Sequence, residues 1–333
     1  MLQKDGRFLD VETVHLKARS NLVIFLMILL LFALNVNGDY IIIDVSGGTD
    51  VKSYPVSRLD APPLGGWPAE YKTDKIVLAR IQAGTFVRRK AIAEYPFIST
   101  NANDSYSIVV SRPYYIGVFP VTQRQWEHVL GTRPSSFRND TDYAMRPVES
   151  VSYTMVRGDT KGTGYPHSVD VDDNSFIGVL RKKAGLTSLD IPTEDQWECA
   201  CHAGKTAQYG NGDDSPVSML DLGRYAENSG GGSVSKVSSA ALGTSEVGKY
   251  TPNGWGIYDM QGGVWEWCLD AVDPIHAPAR RSPLSLDVDR VLRGGYWGSS
   301  SPFCAASVRS ARSGSVGWDC SGVRLALTDS SEK

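Results

Sequence analysis

Turn-forming residues set the limit on what this chain can build: 33 glycines and 17 prolines are spread along its 333 residues, so apolar runs end before they complete a long helix. Glycine takes left-handed backbone without steric cost, and proline removes an amide donor, so each tends to close an element. What lies between them reads as many short strands, few helices and long loops. That pattern is an irregular α+β domain, not a helical bundle. The core need not be small, because 8 Trp, 15 Tyr and 9 Phe are present and each aromatic side chain removes roughly 150–250 Å² from water.

Runs rich in β-branched and apolar residues predict strands at 76–81 and, after a turn, at 84–87. A further strand pair fits 107–110 and 114–119, and strands resume at 290–293 and 322–327. Ile41-Ile42-Ile43 is a lone strand candidate in a stretch otherwise rich in Gly and Pro. Thr122-Gln-Arg-Gln125 forms a capping box, in which the hydroxyl and the amide side chain satisfy orphan amides of a new helix. Trp126, Val129 and Leu130 give that helix an apolar stripe, and Gly131 ends it. The device recurs at Thr193-Glu-Asp-Gln196, followed by Trp197 and Cys201, with Gly204 as the stop. A third helix spans 175–183 and ends near Gly185, while 158–173 and 228–245 read as exposed loops.

Lys17 and Arg19 precede an apolar run at 22–34; about thirteen residues is short of the roughly twenty that span a bilayer and suits a signal peptide. Val36 and Gly38 supply small residues before a cut near Gly38 and Asp39, so the expectation is export, secreted or to the periplasm and cell envelope. The alternative is an uncleaved anchor. The resulting plan is a signal peptide at 1–38, an N-terminal extension at 39–74, one domain at 75–328 and a frayed tail at 329–333. Export would put the five cysteines, Cys199, Cys201, Cys268, Cys304 and Cys320, where disulfides persist. An odd number leaves at least one thiol over. Cys199-Ala-Cys201 is too tight for a zinc knuckle. A net charge of −3 and the absence of a basic cluster argue against nucleic acid as a partner.

Several motifs occur in a telling order. They are Ile81-Gln-Ala-Gly84-Thr-Phe86, Phe119-Pro-Val-Thr122-Gln-Arg-Gln-Trp126, Arg146-Pro-Val-Glu149-Ser-Val-Ser152 and Ile191-Pro-Thr-Glu194-Asp-Gln-Trp-Glu198-Cys-Ala-Cys201. Asn253-Gly-Trp-Gly256-Ile-Tyr-Asp-Met260-Gln-Gly-Gly-Val-Trp-Glu-Trp267 and Arg293-Gly-Gly295 complete the series. Together they resemble the formylglycine-generating enzyme, or sulfatase-modifying factor, family over about residues 75–327. The resemblance implies one domain with a C-type-lectin-like fold. It also implies a copper-dependent oxidase that converts a cysteine of an exported sulfatase to formylglycine, using two cysteines in a C-x4-C arrangement. Here the second position is Cys304 but the first is Ser299, and the serine after the paired glycines is Tyr296. A hydroxyl is a hard, weak ligand and does not replace a thiolate on Cu(I).

The resemblance further implies calcium, held by Asp259, the carbonyls of Gly262 and Val264, and the Glu266 carboxylate, with Gly263 where the family commonly has Asn. A second calcium site would begin at Asn228 and the carbonyl of Ser229, without its matching acidic residue. Cys201 matches a half-cystine of the family; the usual partner position is Leu325, and nearby Cys320 is the substitute candidate.

Two functions follow. The first is a non-catalytic binding protein whose partner is an exported protein or a small ligand. The small-residue stretch after Tyr296 would be its contact surface, with Trp297, Phe303, Arg309, Arg312 and Trp318 as anchors. That stretch also resembles the hypervariable segment of retroelement-diversified lectin-like proteins, ordinary drift being the alternative. The second is an oxidase that recruits another thiol. Hydrolase or transferase chemistry finds no Gly-x-Ser-x-Gly elbow, phosphate loop or paired histidines, and His128, His202 and His276 read as helix and loop residues. Sequons stand at Asn103 and Asn139.

Overall fold

The run Ile41-Ile42-Ile43 lies inside strand β1 (Tyr40–Asp44), with all three side chains buried. Successive residues of a strand point to opposite faces. Ile41 and Ile43 join one apolar cluster and Ile42 joins the other, so β1 is covered on both sides. The structure, a computed structural model, describes residues 39–89, 105–138, 142–165, 167–229, 242–272 and 289–329. The signal-peptide segment, both sequons, His276, most of the 228–245 loop and the tail beyond 329 lie outside the described residues.

β1 is not a lone strand. It pairs antiparallel with β2 (Val56–Leu59) on one side and β3 (Lys75–Ile81) on the other. The segment set apart as an N-terminal extension therefore supplies two strands of a six-stranded sheet. Strands β4 (Gly84–Arg88) and β5 (Tyr106–Val110) pair only with each other in the described sheets, whereas β6 (Tyr114–Gly117) pairs with β3. The expected pairing of 107–110 with 114–119 is thus replaced by two different partners. After β7 (Leu189–Asp190) come β8 (Trp265–Ala271), β9 (Asp289–Arg293) and β10 (Arg309–Ser313), then β11 (Ser321–Gly322) and β12 (Ala326–Thr328). The large sheet runs β2-β1-β3-β6-β12-β7, and a four-stranded sheet runs β10-β9-β8-β11.

The single strand expected at 322–327 is broken. The chain leaves the smaller sheet at Gly322 and enters the larger one at Ala326. Arg324, in the crossover, is the physical reason. Its Nη1 donates to the Gly117 carbonyl of β6 (2.8 Å) and its Nε to Glu266 Oε2 of β8 (2.8 Å), which ties both sheets to the connecting residue.

The helices are short: α1 (Glu70–Thr73), α2 (Gln123–Leu130), α3 (Tyr153–Arg157), α4 (Phe176–Ala184), α5 (Glu194–His202), α6 (Met219–Leu222) and α7 (Ala226–Ser229). Both capping boxes form. Gln125 and Gln196 each accept the N-cap amide, at 2.9 and 3.0 Å, while the threonine hydroxyls accept at 3.3 and 3.2 Å. Gly131 and Gly185 end α2 and α4 in left-handed backbone, but α5 stops one residue before Gly204, at Ala203 with φ 49°. Trp126 of α2 stacks flat on Phe176 of α4, centroids 4.6 Å apart, and joins these helices in one core. Among the described residues no helix is long and apolar enough to cross a membrane.

Candidate functional site

β9 delivers the chain to Gly294 and Gly295, both left-handed at φ 98° and 77°. A Cβ on Gly295 would stand 2.7 Å from Cys304 Sγ and 2.9 Å from the Phe303 carbonyl, so glycine lets the next turn fold back over the thiol. That turn closes on Ser299. Its amide donates to the Tyr296 carbonyl (2.9 Å) and its hydroxyl accepts from the Tyr296 amide (3.2 Å). Its carbonyl accepts from Ala226 at the start of α7 (2.9 Å). Ser299 is 4 % exposed, and Cys304, at the end of a 3-10 turn over Ser301–Cys304, is fully buried. Burial pushes the Cys304 thiol well above its ordinary range, so it stays protonated. Copper(I) asks for soft thiolates. Here one position is a sealed, neutral thiol and the other is a hydroxyl engaged in a turn, so the residues present do not fit copper.

The calcium positions lie in a run of left-handed turns, with φ 54° at Asp259, 82° at Gly262 and 71° at Gly263. Gly262 and Gly263 donate to the carbonyls of Gly294 and Arg224, each at 2.7 Å, which fixes the loop against the turn after β9 and the segment before α7. Asp259 Oδ2 accepts from the Gly248 amide (2.6 Å), and burial raises its carboxyl to about 6. Glu266, however, is 1 % exposed and engaged. Arg324 donates to both of its oxygens at 2.8 Å, and Trp197 Nε1 donates to Oε2 at 2.6 Å. That guanidinium already supplies the positive charge that a cation would bring. Without Glu266, the implied set keeps one carboxylate and two carbonyls, against the roughly six to eight oxygens that Ca²⁺ takes. The set does not fit a closed calcium cage.

At the second implied calcium site the Asn228 side chain is engaged by the protein's own groups. Asn228 Oδ1 accepts from the Tyr225 amide (2.9 Å), its Nδ2 donates to Gly223 (2.9 Å), and its carbonyl accepts from Arg224 Nη1 (2.5 Å). The Ser229 hydroxyl donates to the Trp297 carbonyl (2.6 Å). These bonds close α7 and pin it beneath the segment that follows β9. Among the described residues, no group of three or more His, Cys, Asp or Glu side chains is arranged to hold a metal ion.

Of the residues expected at a contact surface, Trp297, Trp318 and Arg312 lie near one another. Trp297 is half-buried, edge-on to Phe137 at 5.1 Å and to Tyr296 at 5.6 Å, and its Nε1 donates to the Asp319 carbonyl (3.2 Å). Arg312 holds its guanidinium 5.8 Å over the Trp318 ring. The Trp318 carbonyl accepts from the Ser150 amide (2.9 Å), so a loop at 133–138 and a turn at 149–152 complete the face. Phe303 lies half-buried on the 3-10 turn that carries Cys304. Arg309 is corrected. It is drawn inward to Glu194 Oε2 (2.9 Å) at the first turn of α5, where Glu194 also pairs with Arg293 (3.6 Å). It braces β10 against α5.

Phe137, Ser150 and Asp319 belong to the face but were not singled out by sequence. Only Ser150 fell within a recognised motif, and nothing local tied that motif to the segment 313–320. The Cys201–Cys320 bridge is also corrected. All five cysteines are free, with Cys201 inside one core on α5 and Cys320 packed against the other.

The family model for the sulfatase-modifying factor enzyme 1-like domain matches residues 68–329. "Chaperone protein LppX" of Paenibacillus barcinonensis is 28% identical over 229 residues, 61% of this chain and 76% of that one. The formylglycine-generating enzyme of Mycobacterium tuberculosis is 33% identical over 139 residues, 37% of this chain and 44% of the enzyme, so less than half of that enzyme is spanned. Among solved structures, Treponema denticola variable protein 1 aligns with a TM-score of 0.53 at 25% identity, covering 77% of this chain and 96% of that one. This chain belongs to the sulfatase-modifying factor enzyme 1-like family.

Proposed function

We propose that this chain is an exported binding protein that keeps the frame of the formylglycine-generating enzyme without its copper chemistry. One observation carries the reading: the first thiolate position is Ser299, whose hydroxyl accepts the Tyr296 amide while Cys304 lies sealed beneath Gly295. A serine hydroxyl titrates far above neutrality and is hard, so the pair cannot become a Cu(I) dithiolate. The face built from Phe137, Trp297, Trp318 and Arg312 is the binding surface, because half-buried aromatics beside an arginine are the usual anchors of recognition. Its partner is a protein or a small ligand, and not nucleic acid. A relative whose name calls it a chaperone protein supports the choice of a protein partner.

The test is direct. The purified full chain is loaded with Cu(I), incubated in air with a Cys-x-Pro-x-Arg peptide, and the peptide is weighed by mass spectrometry. No mass change is expected. Formation of formylglycine would overturn the reading and restore the oxidase.

A further inference from the structure

One carboxylate beneath this face has no part in the roles above. Glu149 is fully buried and ties its own turn to the loop at 135–137. Its Oε1 accepts from the Phe137 amide (2.8 Å) and its Oε2 from the Ser150 hydroxyl (2.7 Å). Its own amide donates to Ser135 Oγ (3.1 Å), and the Ser135 hydroxyl donates to the Glu149 carbonyl (3.3 Å). Ser150 holds a left-handed φ of 64°, shares a hydrogen bond with Ser136 (3.0 Å), and gives its amide to Trp318 (2.9 Å). The loop carrying Phe137 and the turn carrying Ser150 thus meet on one side chain, and the Trp318 segment hangs from that turn. Phe137 in turn is the ring that braces Trp297.

We propose that the ionised Glu149 carboxylate is the positioning group of the aromatic face, and that proton uptake by Glu149 releases Phe137 and Ser150 and loosens that face. The inference rests on reading the face as the binding surface. An ionised carboxylate only accepts, so it suits two donors at once; a carboxylic acid must also place its own O–H, which displaces the Ser150 hydroxyl as donor and forces its pair with Ser136 to reorient. The titratable groups facing Glu149 are Asp319 and the Cys320 thiol. Burial and Asp319 push that thiol up to about 12, so it stays neutral and offers no counter-charge. Burial, with Asp319 adding to it, raises the Glu149 carboxyl above the usual range despite the hydrogen bonds to Phe137 and Ser150. Proton uptake therefore comes at milder acidity than for an exposed glutamate.

Hydrogen exchange read by mass spectrometry tests this on the full chain without any ligand, with rates corrected for their intrinsic pH dependence. Between about pH 7.5 and about pH 4, segments 133–138 and 313–320 of the wild type are expected to exchange about tenfold faster relative to β6. Glu149→Gln keeps an acceptor for the Phe137 amide and cannot titrate, so the acid-induced increase is expected to vanish. Should that variant fail to fold, the wild-type comparison with β6 decides alone. An unchanged wild-type ratio, or a Glu149→Gln variant with the wild-type response, would falsify the proposal. Because no ligand and no copper enter the experiment, its failure leaves the binding reading standing, and formylglycine formation would leave the exchange result untouched.

Discussion

Glu266 and Arg324 form a buried pair, 1 % and 0 % exposed, at the junction of the two sheets. Removing one partner leaves the other charge uncompensated, and such losses run to about 3–5 kcal/mol. Glu266→Gln preserves shape, so the expected loss is near the lower end, about 3 kcal/mol. Urea unfolding at neutral pH would register it as a lower midpoint with an unchanged slope. The residue scale also separates what was legible from what was not. The loss of the thiolate pair could be read at Ser299, since it depends on one side chain's chemistry. The pairing of Glu266 with Arg324, 58 positions away, depends on where the fold brings them, so nothing local in the sequence showed that this carboxylate answers a buried guanidinium.

Among elements, α2 and α5 were the most legible, because a capping box joins residues three positions apart, whereas the short helices α1, α3, α6 and α7 carried no such signal. Strand partners were not: β5 and β6 are adjacent in sequence yet belong to different sheets. Loop 158–161 is held by another local device. Asp172 accepts from the amides of Asp159, Thr160 and Lys161 at 2.9–3.0 Å and from the Thr160 hydroxyl at 2.6 Å. Those bonds lower its carboxyl from 3.8 to about 2. A carboxyl depressed in the folded state stabilises fully above its unfolded value and loses that contribution as pH falls through the folded one. The window is therefore from about pH 4 down to about pH 2. Thermal melts across it should fall more steeply for the wild type than for Asp172→Asn. The difference should amount to about 1 kcal/mol once solvent screening is discounted. Parallel acid limbs would remove Asp172 as the source.

For the whole molecule, the family match begins at 68, but the large sheet has β1 between β2 and β3. A chain starting at residue 68 loses Ile41, Ile42, Ile43, Val45 and Tyr54, all buried at 4 % exposure or less. Each such aliphatic side chain contributes roughly 1.5–3 kcal/mol on burial, and together they rival the about 5–15 kcal/mol by which domains are stable. That truncation is expected to show no cooperative melt by circular dichroism. A sharp transition at the full-length temperature would show the two strands to be dispensable.

The sequence alone determined the α+β class, the capped starts of α2 and α5, the family and the missing thiolate, because each is written in residue identity or in spacings of a few positions. Only the tertiary structure decided that the N-terminal segment belongs to the large sheet and that Arg309 braces β10. It also decided that Glu266 answers Arg324 and that Glu149 gathers the loops under the aromatic face. Those outcomes rest on contacts between distant segments, and burial sets their strength once the chain has closed around them.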